Sequence, residues 1–255
     1  MKLQVLGCAG GIGGQEGHTT SLLVDDDILL DAGTGLAALD LDRLVRIDHV
    51  FITHSHLDHV AGLAFLLDAV LGKRTGPVTV HASGMVIAAL RRHLFNWVLW
   101  PDFGMIPDEA APVLRWSETA AGVPVTLGDR TLVAHPVNHT VGSSAWWVHN
   151  DRSGFLFTGD MASTPALWST MSEERRLRKV IVDCSFANAD RDIADRSLHF
   201  CPASLLEDIR SLPDAVEVLI YHLKPGHEEL IMRELRQHSG PRGFTALRRG
   251  DTFEF

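Results

Sequence analysis

The stretch FITHSHLDHVAGL, residues 51–63, packs His54, His56, Asp58 and His59 into six positions between two apolar runs. On an extended backbone, residues i and i+2 point to one face, so His54 and His56 can grip the same ion. Asp58 and His59 lie in the turn that follows and can face a second ion. Imidazole and carboxylate together suit zinc, manganese or iron. A lone histidine at a strand end is usually satisfied by its surroundings. Three histidines and an aspartate at this spacing seldom arise by chance. Later in the chain His139 follows AHPVN, Asp160 follows FLFTG and His222 follows VLIY, each at the C-terminal end of an apolar run. His135 rivals His139 as a ligand, and the turn-like HTVG after His139 favours the latter.

These residues need strands to hold them. The sequence predicts strands over 2–7, two around the Asp-rich turn of 20–35, then 49–54, 77–82, 131–140, 144–150, 154–161, 179–186, 217–223 and 245–255. Helices are predicted over 59–72, 85–95, 202–212 and 227–238. Residues 96–112 are aromatic and proline-rich without a clean period. Residues 7–17 form a glycine stretch whose spacing does not match a dinucleotide fingerprint. A strand end is a rigid place for metal or catalytic geometry.

The 255 residues are 45% hydrophobic, enough for a full core. With no linker or low-complexity segment, residues 1–255 read as one domain with two β-rich halves, which implies two packed sheets with helices outside. A net charge of −9 argues against a broad basic face for duplex DNA or long RNA. A small anion remains compatible, because a metal supplies positive charge locally. Three cysteines, Cys8, Cys184 and Cys201, argue against a disulfide framework and for a reducing, cytoplasmic setting. No segment reaches the roughly 18 apolar residues of a membrane span. VLGC at 5–8 has the look of a lipoprotein cleavage box, but too little precedes it for a signal peptide.

The motif THSHLDH at 53–59 resembles the signature of the metallo-β-lactamase superfamily. Asp31 in LLDAGTG, His139 in NHT, Asp160 in FTGD and His222 in IYHLKPG follow that family's order over nearly the whole chain. The resemblance implies an α/β fold, a four-layer αβ/βα sandwich of two mixed β-sheets flanked by helices. It also implies two divalent metal ions, zinc first and manganese or iron as alternatives. By position, His54, His56 and His139 would hold one ion, and Asp58, His59 and His222 the other, with Asp160 bridging. Asp31 would orient the histidine loop. Asp160 stands where the family's zinc β-lactamases commonly carry cysteine, which favours ester or phosphodiester hydrolysis.

HSHLDHVAGL is similar to class II cyclic-nucleotide phosphodiesterases, with Leu57, Val60 and Gly62 matching. Leu67 and Asp68 depart from their usual Ser and small residue. VDCSFAN (182–188) and LHFCP (198–202) look like bacterial relatives of that group, which often carry Glu where Asp183 stands. The expected reaction is hydrolysis of a 3′,5′-cyclic nucleotide, cAMP or cGMP, to the 5′-nucleotide by a hydroxide bridging the ions. An RNase Z-like phosphodiesterase, a lactonase or a thioesterase is the alternative, although a tRNA nuclease would need a basic arm that is missing. The expected catalytic residues are Asp58 and His199, the latter to assist the departing 3′ oxygen, oriented by Asp183 or Asp195. The segment HLFNWVLWPDF (93–103) could be helical core, a nucleobase platform or a homodimer surface. His18, His81, His93, His149 and His238 read as ordinary histidines.

Overall fold

The computed structural model describes residues 1–13, 17–238 and 242–255. Its first half runs β1 (Lys2–Gly7), β2 (Ser21–Val24), β3 (Ile28–Leu30), α1 (Leu41–Leu44), β4 (His49–Phe51), α2 (Leu57–Val70), β5 (Val78–Ala82), α3 (Gly84–His93) and β6 (Leu114–Glu118). The second half runs β7 (Pro124–Leu127), β8 (Arg130–Pro136), β9 (Ser144–His149), β10 (Gly154–Phe157), α4 (Pro165–Ser172), β11 (Leu177–Asp183), α5 (Arg191–Ser197), α6 (Pro202–Asp208), β12 (Glu217–Tyr221), α7 (Glu228–His238), β13 (Phe244–Ala246) and β14 (Thr252–Glu254).

Two sheets result, ordered β14-β1-β2-β3-β4-β5-β6 and β13-β12-β11-β10-β9-β8-β7. Each is antiparallel at one end and parallel at the other. The pairs β3–β4, β4–β5 and β5–β6 are parallel in the first, and β10–β11, β11–β12 and β12–β13 in the second. Parallel neighbours need crossover connections, which is why helices separate these strands and cover the outer faces.

The central strands are buried on both sides, so they read as continuous apolar runs. On β2, Leu22 and Val24 face the other sheet while Leu23 faces the helices. On β12, Leu219 and Tyr221 point between the sheets, and Val218 and Ile220 pack under the helices. Phe51, Trp146, Phe155 and Phe157 fill the layer between the sheets, each worth roughly 1.5–3 kcal/mol of burial. No helix among the described residues is long and apolar enough to cross a membrane.

Several expectations need correction. The strand expected over 49–54 stops pairing at Phe51, because the Thr53 N–H bonds the Asp31 carboxylate at 2.7 Å instead of a neighbouring strand. The single strand expected over 245–255 is two strands in different sheets. Gly250 turns the chain at φ 91°, and β13 pairs with β12 while β14 pairs with β1. Strands β6 and β7 and helices α1, α4 and α5 had no distinct sequence signal. The helix expected over 202–212 ends at Asp208 in a 3-10 turn. Residues 14–16 of the glycine stretch and the side chain of His238 lie outside the described residues.

The aromatic segment is not a helical core element. Asn96 Oδ1 accepts hydrogen bonds from the Val98 and Leu99 N–H groups, at 3.0 and 2.8 Å, and Trp97 sits at φ 63°. That tight turn leaves Trp97 61% and Val98 91% exposed. Phe95 and Phe103 anchor its ends in the core, and the Trp100 ring meets Phe65 of α2 edge-on at 5.5 Å.

Candidate metal centre

The parallel strands of both sheets deliver their C-terminal ends to one place. Asp31 follows β3, His54 follows β4, and His56, Asp58 and His59 open α2. Across the gap, His139 lies in the β8–β9 loop, Asp160 follows β10, and His222 follows β12. Two clusters hold the predicted ligands. Ligand-capable atoms of His54, His56, His139 and Asp160 lie within 4.8 Å of one another, and so do those of Asp58, His59, Asp160 and His222. Asp160 belongs to both, and also to a third group with Asp183, His199 and His222. Every predicted ligand is therefore brought together, and of the rivals His135 and His139 only the latter joins the cluster. His135 lies within β8, paired with Ala145, while His139 reaches the cluster from the turn closed by Ser143 N–H to Thr140 O at 3.1 Å.

The backbone is shaped for this convergence. Asp31 and His222 adopt left-handed φ values of 54° and 60°, a conformation that side-chain-bearing residues hold only where the surroundings enforce it. Gly159, before Asp160, also sits at φ 60°, and a Cβ there would lie 2.8 Å from the Thr53 side chain. Asp58 in the first turn of α2 gains from the positive end of the helix dipole.

Four of the five histidines in these clusters are held by one nitrogen and offer the other. Thr53 Oγ1 donates to Asp31 Oδ2 at 2.7 Å, so it accepts from His54 Nδ1 at 3.0 Å. His59 Nδ1 donates to Asp31 Oδ2 at 2.7 Å. His139 Nδ1 donates to the Leu198 carbonyl at 2.9 Å, and His222 Nδ1 meets Ser185 Oγ at 2.9 Å. The Nε2 atoms therefore face inward. Those of His54 and His59 are buried without a hydrogen-bond partner, which is costly unless something completes them. His139 Nε2 stands 3.2 Å from His56 Nδ1. The orphaned nitrogens, the shared carboxylate and outer partners on the opposite ring atoms together fit divalent metal ions.

Charge follows the same pattern. Burial, then the charge of His59, pushes His54 well below its usual 6.5. Burial likewise lowers His56 and His139, so these imidazoles stay neutral, as ligands must be. Burial opposes ionisation of Asp160, but the charges of His222 and His59 outweigh it and hold the group well below its ordinary value. Burial also opposes a charged His59, yet Asp160 and Asp31 raise it well above 6.5. A metal ion at this cluster would displace that proton. For Asp58, burial is outweighed by the hydrogen bond from His222, and its pKa is lowered.

His199 lies beside the clusters, 8% exposed. Its Nδ1 donates to Asp183 Oδ2 at 2.8 Å, and its ring stacks on His222 with centroids 5.3 Å apart. Asp183 is thus its partner, while Asp195 is exposed and lies 3.8 Å from Arg191. Three participants escaped the sequence analysis. Thr53 links Asp31 to His54, Ser185 links His222 to Asp183 and His199, and Tyr221 donates to Asp160 Oδ1 at 2.9 Å. Only Tyr221 carried a signal, as the chain's sole tyrosine beside a predicted ligand. His18, His81, His93 and His149 join neither cluster.

Two mixed sheets packed face to face, helices on both outer faces and histidine–aspartate clusters at the sheet edges define the metallo-β-lactamase fold. YhfI from Bacillus subtilis, a metallo-β-lactamase fold protein, superposes with a TM-score of 0.78 at 18% identity over 100% of this chain and 99% of its own. Residues 26–222 match the family described as the beta-lactamase superfamily domain, and the chain belongs to it. A probable 3′,5′-cyclic-nucleotide phosphodiesterase of Yersinia pestis is 26% identical over 100% of this chain and 89% of its own. A 3′,5′-cyclic-nucleotide phosphodiesterase of Schizosaccharomyces pombe is 28% identical over 82% of this chain and 70% of its own.

Proposed function

We propose that this protein is a metal-dependent hydrolase that opens 3′,5′-cyclic nucleotides such as cAMP or cGMP to 5′-nucleotides. The observation that carries this reading is the convergence of bare imidazole nitrogens on one shared carboxylate, in a chain whose relatives include named cyclic-nucleotide phosphodiesterases. His54, His56, His139 and Asp160 would hold one divalent ion, and Asp58, His59, His222 and Asp160 the other, zinc being the first choice. When bound, such a pair clamps a phosphoryl group and makes water a nucleophile near neutral pH.

The side chains do the rest. Asp160 and Asp58 balance positive charge, and Asp58, the more open carboxylate at 30% exposure against 1%, also accepts a hydrogen bond from the incoming water. With Nδ1 committed to Asp183, His199 keeps Nε2 free of that bond and would hand a proton from it to the departing 3′ oxygen. A cleft lined by Asn138, Arg191, His199 and Ser204 opens beside it. The same reading treats residues 1–255 as one cytoplasmic catalytic domain, since each sheet supplies part of either ligand set.

Purified protein is to be analysed for metal and offered cAMP, cGMP, bis(p-nitrophenyl) phosphate, a lactone and a thioester. The expected result is two ions per chain and turnover of the cyclic nucleotides. Turnover of the lactone or thioester with inert cyclic nucleotides would overturn the assignment. His199→Ala should keep both ions and lose about 10²–10⁴ in kcat on a cyclic nucleotide. It should lose far less on bis(p-nitrophenyl) phosphate, whose phenolate leaves unaided.

A further inference from the structure

Asp160 uses its two oxygens for different tasks. Oδ2 lies 3.8, 3.3 and 3.2 Å from Nε2 of His54, His59 and His222, so it faces both clusters. Oδ1 accepts a hydrogen bond from the Tyr221 hydroxyl at 2.9 Å, inside the layer between the sheets. The tyrosine ring cannot drift. It is 1% exposed, and its centroid lies 5.3 Å from that of Phe157, on the strand that leads to Asp160.

A phenylalanine at 221 would fill the same apolar space, so packing alone does not require the hydroxyl. A buried hydroxyl is costly unless it is bonded, and here its bond goes to the one carboxylate common to both clusters. A carboxylate with both oxygens free can rotate, or close on a single ion with both. One whose outer oxygen is engaged presents a single atom inward.

We infer that Tyr221 is a positioning residue whose hydroxyl fixes the Asp160 carboxylate so that Oδ2 alone faces both metal positions. This inference rests on the two-metal reading above. Tyr221→Phe should leave the fold intact while weakening metal retention, because partners of metal ligands typically contribute 10- to 100-fold in affinity.

The test measures bound metal during chelator titration, with the melting temperature of each metal-free protein alongside. Tyr221→Phe should melt within a few degrees of wild type and release at least one ion at about 10- to 100-fold lower chelator concentration. Phe155→Leu, which disturbs the same core at a ring that packs on Phe255 and not on Tyr221, should melt lower but keep the wild-type chelator midpoint. An unchanged midpoint in Tyr221→Phe overturns the inference. So does an equal fall in Phe155→Leu, which would make the effect one of packing. Because Tyr221 is the only tyrosine, 3-fluorotyrosine labelling gives one fluorine resonance in the otherwise wild-type protein. That resonance should move as metal is added, and a static resonance would also overturn the inference. If wild-type protein takes up no second ion, the two-metal reading fails first and carries this inference with it.

Discussion

Replacing Asp31 by asparagine should strip metal from the site without unfolding the protein. Asp31 is fully buried and accepts three hydrogen bonds. Oδ1 receives the Thr53 N–H, and Oδ2 receives both the Thr53 hydroxyl and His59 Nδ1, all at 2.7 Å. Asparagine keeps the shape but turns one acceptor into a donor. If the amide NH2 takes the Oδ1 side, it meets the Thr53 N–H donor to donor, and a buried N–H is orphaned. If it takes the Oδ2 side, the Thr53 N–H stays bonded, and the NH2 can donate to Thr53 Oγ1 and His59 Nδ1. That arrangement requires Nδ1 to lose its proton and Nε2 to keep one. The Nε2 proton then points at Asp160 Oδ2, 3.3 Å away, where the lone pair is needed for metal. Binding an ion would force the tautomer back and lose a hydrogen bond between neutral groups worth about 0.5–1.5 kcal/mol, with a further 1–3 kcal/mol for the stranded donor. A total of roughly 3 kcal/mol corresponds to about 100-fold in affinity. The assay is chelator titration with metal analysis, paired with nitrogen NMR of the His59 tautomer in metal-free protein. Asp31→Asn with two ions per chain and a chelator midpoint within about threefold of wild type would refute the reasoning.

Two further outcomes follow from groups outside the ligand sets. His81 stacks on Phe51 at 4.2 Å, and its Nε2 lies 3.0 Å from His49 Nδ1. Burial, and then the charge of His49, drop its pKa from 6.5 to about 4. The unfolded chain therefore takes up this proton first, so the contribution is fully present above pH 6.5 and is lost as pH falls towards 4, by about 3 kcal/mol in all. Urea unfolding of wild type and His81→Phe between pH 7 and 5 should show a shallower acid slope in the variant, whereas parallel slopes would exclude this role. Trp97→Ala should raise KM for a cyclic nucleotide about tenfold, as expected for loss of one base-stacking contact of ~1–3 kcal/mol, and leave bis(p-nitrophenyl) phosphate unaffected. An equal rise on both substrates would remove Trp97 as a base platform.

Much of this protein is written locally. The apolar runs that end at His54, Asp160 and His222 declare buried strands, because a strand covered on both faces needs no polar alternation. The crowding of His54, His56, Asp58 and His59 declares a site, because few uses other than metal binding tolerate so many donors in one turn. Other features depended on residues far apart in sequence. The glycine-turned segment after β13 reads as one strand until Val5 of β1 receives half of it, with Val5 O accepting from Gly250 N–H at 2.9 Å. His135 and His139 are equivalent as residue types, and only the path of the chain after β8 carries one of them to Asp160. Asp183 rather than Asp195 meets His199, because β11 ends in the core while α5 turns its acidic face to solvent. Tyr221 reads as an ordinary strand residue. Its hydroxyl finds Asp160 only when β10 and β12 stand in one sheet with β11 between them. Residue type and spacing could name the atoms capable of the chemistry. Which nitrogen is bare and which oxygen is held in place depend on hydrogen bonds between strands that no local pattern specifies.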